Sequence, residues 1–187
     1  MPENNSCQPA MPYFQFRQAS LHDFPAVWEV VNKAREKMLA SGRTQWSATY
    51  PSEEIIRKDI ENETGYVLCS DDTIAAFGVV AFNGEPVYKN IKGKWQSDYP
   101  YVVIHRLAVQ PSLQGHGLSR LFLENVIEMC QAEGIKSIKV DTANENTEMI
   151  GLLSAMGFSF CGTVYYEGHG KRVAFEKVLV APLLDME

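Results

Sequence analysis

The chain has 187 residues, of which 45% are hydrophobic and 21% charged. That is the make-up of an ordinary globule rather than a disordered chain. The net charge of −6 argues against a general nucleic-acid binder, whose affinity comes mainly from neutralising phosphates. It leaves room for a local site that takes one anionic ligand.

Residues 1–12 are polar, with no basic residue and no apolar run, so they read as a loose leader rather than a signal peptide. A single domain is expected over 13–187. Phe14 and Phe16 alternate with polar neighbours through Arg17, which suggests a first strand. Ser20 then caps a helix whose Phe24, Val27, Trp28 and Val31 form one apolar stripe, and Gly42 stands where that helix stops. Residues 41–51 carry Arg43, Gln45, Trp46 and Tyr50 without a period and predict a long loop of the kind that often serves function. Ser52-Glu53-Glu54 opens a second helix, with a cap followed by acids at the positive end of the dipole.

Strands are predicted at 66–69 and 74–82, with residues 70–73 as their turn. Residues 83–99 lack a period and read as an insertion or long hairpin loop. Residues 101–109 are apolar apart from His105 and Arg106, which suits a strand buried on both faces at the centre of a sheet. A Gly-rich turn at 114–117 leads into a helix over 117–133, and a strand follows at 135–141. This strand–helix–strand order implies a parallel pair with a right-handed crossover. After an Asn-containing turn at 142–146, Met149, Leu152, Leu153 and Met156 mark another helix, closed by Gly157. Two last strands, 158–166 and 172–180, are joined through residues 167–170.

Cys7, Cys69, Cys130 and Cys161 show no CxxC spacing, so free thiols in a reducing cytosol are expected. No His, Cys, Asp and Glu residues cluster at metal-ligand spacing, and no metal is expected. No apolar run approaches the ~18–20 residues of a membrane span, so no membrane partner is expected either.

The turn at 114–120 is the most informative segment. Glycines between a strand and a helix expose amide N–H groups at the positive end of the dipole, which makes an anion site, above all for phosphate. An ordinary turn that needs glycine for its φ angles is the competing explanation. A P-loop requires a Lys after the glycines, and none is present. A Rossmann fingerprint requires a third glycine where Arg120 stands.

A third pattern fits better. Ala108-Val109-Gln110-Pro111, two residues, then Gln114-Gly115-His116-Gly117-Leu118-Ser119 resembles the coenzyme A signature of the GNAT acetyltransferases. That signature is Arg or Gln, two residues, Gly, one residue, then Gly or Ala. Here Gln114 and Gly117 match, and Ser119 replaces the final small residue. A second block, Asn146, Met149, Leu152-Leu153 and Gly157-Phe158, is similar to the family's later segment. Leu153 stands at the position of its frequent tyrosine acid.

The resemblance implies a mixed α+β fold: a central twisted mixed sheet of about six or seven strands, about four flanking helices and a splayed central parallel pair. It implies an acetyl-coenzyme A-dependent N-acetyltransferase that moves an acetyl group to a primary amine of a small molecule or peptide, by direct attack in a ternary complex. Acetyl-coenzyme A would lie between strands 101–109 and 135–141. The pantetheine arm would run along Leu107, Ala108 and Val109, and the pyrophosphate would rest on Gln114, Gly115, His116, Gly117, Leu118, Ser119 and Arg120. Asn146 would face the thioester region, or cap its helix. Catalytic roles fall to His105, as a base with an ordinary pKa of ~6.5, and to Leu107, whose N–H would meet the oxyanion. Tyr165 or Tyr166 could replace the missing acid, though both also suit plain strand positions. His22, His116 and His169 read as surface or turn residues.

Trp46 and Tyr50 are the candidate substrate wall, with Trp95 and Tyr99 as additions. Two alternatives remain. One is a non-catalytic acyl-coenzyme A-binding sensor that kept the groove, and the other is a nucleotide-binding α/β protein read from the glycines alone. Whether the chain forms a homodimer is open.

Overall fold

The computed structural model describes residues 13–71 and 73–179. The expected leader at 1–12 lies outside them. In chain order the elements are β1 (Gln15–Gln18), α1 (Phe24–Ala40), α2 (Glu53–Glu61), β2 (Gly65–Ser70), β3 (Thr73–Phe82), β4 (Lys92–Gly93), β5 (Tyr101–Val109), α3 (Leu118–Ala132), β6 (Ser137–Thr142), α4 (Thr147–Ala155), β7 (Ser159–Tyr166) and β8 (Gly170–Val178). The eight strands make one sheet in the order β1-β2-β3-β5-β6-β8-β7-β4. β5 and β6 are parallel and the other pairs are antiparallel.

Two of the helices, α2 and α4, begin where a side chain satisfies a first-turn amide. Ser52 Oγ accepts from Ile55 N at 3.3 Å, and Asn146 Oδ1 accepts from Met149 N at 3.3 Å. The Asp23 carboxylate accepts from Ser20 N and Oγ at 2.8 and 2.9 Å and from both Arg17 amino groups at 2.8 Å. This ties β1 to the start of α1, after one 3-10 turn at Leu21–Asp23.

The two sheet faces carry different covers. α3 and α4 lie on one, where Phe122, Leu123, Val126 and Leu153 are buried against Val102, Ile104 and Val140. α1 and α2 lie on the other, where Val27, Val31 and Ile56 meet Val67, Phe77 and Ala108. Each such side chain contributes about 1.5–3 kcal/mol of burial.

The segment expected to be an insertion at 83–99 is more ordered than its sequence suggests. It holds a 3-10 turn, Pro86–Asn90, and the two-residue β4, which pairs with β7 at the far edge of the sheet. Tyr88 lies buried beneath it with Val103, Val164 and Ala174. Trp95 Nε1 donates to the Tyr88 carbonyl at 3.0 Å, and the buried Glu176 accepts from Gln96 N, Ser97 Oγ and Ser137 Oγ at 2.6, 2.5 and 2.7 Å. Non-local bonds hold this strap, and a period search sees only local order. β8 also starts two residues earlier than predicted.

Two departures from regular pairing shape the centre. β5 and β6 pair only from Tyr101↔Ser137 to Ile104↔Val140. Beyond that point β5 continues along β3 to Val109, while β6 continues along β8 to Thr142. The sheet forks there. Just past the fork, β5 places Arg106 and Leu107 opposite the single Gly78 of β3. This is a bulge, with Arg106 at φ +51°. The extra residue returns Leu107 and Val109 to the face that carries Val102 and Ile104.

Candidate active site

Two cavities open on the fork and share Met38, Trp46, Leu107, Asn146 and Met149 in their walls. The larger, of about 600 Å³, is lined by Leu107, Ala108 and Val109 of β5 and by Gln114, Gly115, Gly117, Leu118, Ser119 and Arg120 at the mouth of α3. Gly115 and Gly117 have φ of +84° and +76°, and a Cβ on either would meet nothing within 4 Å. Both therefore need a left-handed backbone, and both border open space. That is a cradle for an anionic group at a helix N-terminus. Ser119 lines this cleft, whereas the exposed His116 does not. Lys37 of α1 reaches over to Gln114 Oε1.

The smaller cavity, of about 280 Å³, is lined by His105, Arg106, Glu85, Asp141, Tyr166 and Arg172 together with Gln45, Trp46, Tyr50 and His169. The structure thus brings Trp46 and Tyr50 together with His105, and it adds His169, which sequence reading left at the surface. Trp95 and Tyr99 are not in this wall. Trp95 packs on Tyr88 and beneath Lys139, and Tyr99 lies exposed near Lys136. Of the two candidate tyrosines, Tyr166 faces the cavity and Tyr165 is exposed. Leu153 is fully buried in the core, so no acid occupies that position.

The polar groups around the fork are held firmly. Arg106 Nε and Nη2 make a two-pronged pair with Asp59 of α2 at 2.7 and 2.6 Å, and Nη1 donates to Tyr50 Oη at 3.1 Å. These bonds secure the bulge in its strained conformation. Asp141 accepts from Tyr88 Oη and Tyr166 Oη, both on Oδ2, at 2.7 and 2.8 Å. Burial lifts the Asp141 carboxyl above the ordinary range, against the pull of those two hydroxyls. Asn146 serves as the α4 cap through Oδ1, and its Nδ2 donates to Thr142 Oγ1 at 3.1 Å.

The environment of His105 differs from the sequence expectation. Its Nε2 lies 3.4 Å from Glu85 Oε2, and the two side chains are 18% and 13% exposed. Burial, aided by the Arg106 charge, pushes the imidazole down to about 3. An ordinary histidine at ~6.5 was expected. The carboxylate at 3.4 Å favours the charged ring, but burial outweighs it, so His105 is neutral at pH 7. Glu85 moves the other way. Burial lifts its carboxyl, and the Val87 amide at 3.3 Å offsets only part of this.

Sequence reading missed Glu85, Asp141 and Arg172. For the last two the signal was charge within a strand, and it was not distinctive, because β6 also carries Lys139 and β8 also carries Lys171, Glu176 and Lys177. Glu85 precedes Pro86 in an aperiodic segment and gave none. Among the described residues no group of His, Cys, Asp and Glu has the arrangement of a metal site, and no helix is long and apolar enough to cross a membrane.

A forked parallel pair, an amide-lined cradle beside it and a bulged central strand together define a coenzyme A-dependent acyltransferase architecture. The family model described as the acetyltransferase (GNAT) family matches residues 27–158. The chain belongs to that family and is an N-acetyltransferase. It is similar to the [Ribosomal protein bS18]-alanine N-acetyltransferase of Salmonella typhimurium, at 23% identity over 140 residues, covering 75% of this chain and 77% of that protein. Its fold matches a GNAT-family acetyltransferase from Streptococcus agalactiae with a TM-score of 0.81 and 29% identity, over 91% of this chain and 100% of the other. The ribosomal-protein-S18-alanine N-acetyltransferase of Escherichia coli shares the fold, with a TM-score of 0.64 and 16% identity over 92% and 99% of the two chains.

Proposed function

We propose that acetyl-coenzyme A enters from the larger cavity and the acceptor amine from the smaller, and that the two meet at Leu107. The observation that carries this reading is the junction itself: a phosphate cradle and an acid-bearing cavity share the walls of one fork. The diphosphate rests on the amides of residues 114–120. The pantetheine arm follows Leu107, Ala108 and Val109 along the edge that β5 no longer shares with β6.

The acceptor must lose a proton before its nitrogen can attack. Glu85 takes it, directly or across the neutral His105 imidazole 3.4 Å away. Its raised pKa brings the carboxylate's basicity closer to neutral pH, where a general base works best. His105 is a conduit and a positioning group, because a ring that titrates at about 3 does not hold the proton. The nitrogen lone pair forms the new C–N bond at the thioester carbonyl, the developing oxyanion meets the Leu107 N–H at the bulge, and the C–S bond breaks. A thiolate with a pKa of ~8.5 departs without a dedicated acid, consistent with Leu153 in the core. The acylated nitrogen sheds its second proton to the departing thiolate, Glu85 returns its own to solvent, and the products are an N-acetyl amide and free coenzyme A.

Thiol release from acetyl-coenzyme A over a panel of primary amines tests this. The expected result is amine-dependent release with matching N-acetyl product. Tight acetyl-coenzyme A binding without release across the panel would support the sensor instead.

A further inference from the structure

The walls of the smaller cavity also bear on which acceptor it takes, an inference that rests on the cavity roles proposed above. Its roof is the loop 41–51, bonded to both banks of the fork. Gln45 Oε1 accepts from Thr142 Oγ1 and Ala143 N at 3.0 and 3.1 Å. The Gln45 carbonyl accepts from Arg172 Nη2 at 3.3 Å, and Thr44 Oγ1 donates to Glu145 at 2.9 Å. The Tyr50 ring lies 5.4 Å from that of His169 on the β7–β8 turn. A polypeptide threaded across the fork would have to break these ties. The volume of about 280 Å³ is at the small end for ligand sites.

Charge is placed unevenly inside. Arg172 lines this cavity and is only 7% exposed. Its Nη1 and Nη2 donate to the carbonyls of Lys171 and Gln45 at 3.1 and 3.3 Å. No carboxylate lies within 4.0 Å of it among the described residues, whereas the neighbouring Arg106 is fully paired with Asp59. Asp141 shares the cavity but spends Oδ2 on two tyrosines. Its charge is offset only at a distance, by Asp141 and Glu145, so an incoming anion within hydrogen-bond reach would pair it directly. The opposite charge preference sits at Glu85, beside His105. Part of the remaining wall, with Met38, Trp46, Ile104 and Met149, is apolar.

We propose that the acceptor is a small zwitterion, an α-amino acid or close analogue with an apolar side chain, whose carboxylate pairs with Arg172 while its amine faces Glu85 and His105. A peptide N-terminus fits less well, because it carries an amide where this acceptor carries its carboxylate.

The test compares phenylalanine, leucine and methionine with their carboxamides, their decarboxylated amines and a hexapeptide beginning with alanine. Acetylation kinetics are measured alongside calorimetric binding to the coenzyme A-loaded protein. Loss of the carboxylate is expected to lower kcat/KM by about 10- to 100-fold, mainly through KM, as for a hydrogen-bonded charge pair. Arg172→Met should erase the difference between acid and amide, and Arg172→Lys should keep part of it, with melting curves confirming that both variants fold. Equal use of acid and amide, discrimination that survives Arg172→Met, preference for the hexapeptide, or no binding of any amino acid would each overturn the inference. Selective binding of the acids without turnover would uphold it while removing the chemistry assigned to Glu85.

Discussion

Glu85 and His105 face one another across 3.4 Å, and the roles proposed for them follow from what burial does to each. An imidazole loses its proton when buried and a carboxylate gains one, so the same dry wall that silences His105 as a base makes Glu85 a better one. Glu85→Gln should lower kcat by about 10²-fold or more, the usual size of general-base catalysis, with the KM for acetyl-coenzyme A nearly unchanged. In the wild type, activity is lost as pH falls through the raised Glu85 value, because the protonated acid cannot accept the amine proton. This acid limb should vanish from the residual activity of the variant. A pH profile of kcat/KM for both proteins checks the assignment.

At the donor side, Gly117→Val should raise the acetyl-coenzyme A KM by about 10-fold or more through φ +76° and an intruding side chain, while titration shows the loss directly. The glycine pattern was legible in the sequence because its chemistry is local. The burial that overturns the ordinary pKa of His105 was not, because it comes from segments distant along the chain.

β5 shows how an element makes a site. Its sequence reads as a strand buried on both faces, and residues 102–104 and 108–109 are so buried, but His105, Arg106 and Leu107 are each partly open. The bulge accounts for this, and the absent Cβ of Gly78 on the facing strand makes room for it. A Cβ there would lie 2.6 Å from the Phe122 ring and 3.3 Å from Leu107. Gly78→Ala should therefore cost about 1–3 kcal/mol by overpacking and slow acetyl transfer through displacement of Leu107. Denaturant unfolding and kcat together test that coupling; a stability loss with unchanged kcat would separate Gly78 from the site.

The β1–α1 junction offers a pH test of a different kind. Arg17 and the Ser20 donors hold the Asp23 carboxyl well below the usual range. A depressed acid contributes stability that is full above its unfolded value of ~3.9 and fades as pH falls through the folded one. Asp23→Asn should cost about 1 kcal/mol at pH 7, discounted because Arg17 is 36% exposed, and the difference from wild type should shrink below about pH 4. Thermal melts across that range decide it. The Ser52 cap was readable in advance, whereas Ser20, read as the cap of the first long helix, opens the 3-10 turn before it and donates its hydroxyl to Asp23. The strap at 83–99 was not readable, since its anchors on Asp141 and Glu176 are contacts between distant segments.

Across the whole molecule, the strand–helix–strand unit and the flanking antiparallel strands could be inferred from hydrophobic period and glycine placement. Where the two parallel strands part could not, because β5 and β6 leave each other only when β3 and β8 take over their pairing. On the proposed reading, one body of sheet is thus divided into a donor side near α3 and an acceptor side beneath the strap and the 41–51 loop. Crystals soaked in acetyl-coenzyme A test this division most directly. The account predicts density with the diphosphate on the amides of residues 114–120 and the thioester carbonyl beside Leu107, within reach of a nitrogen placed between Glu85 and the fork. Density that enters through the Arg172 cavity, or a fork closed over by side chains with the ligand bound elsewhere, would contradict it.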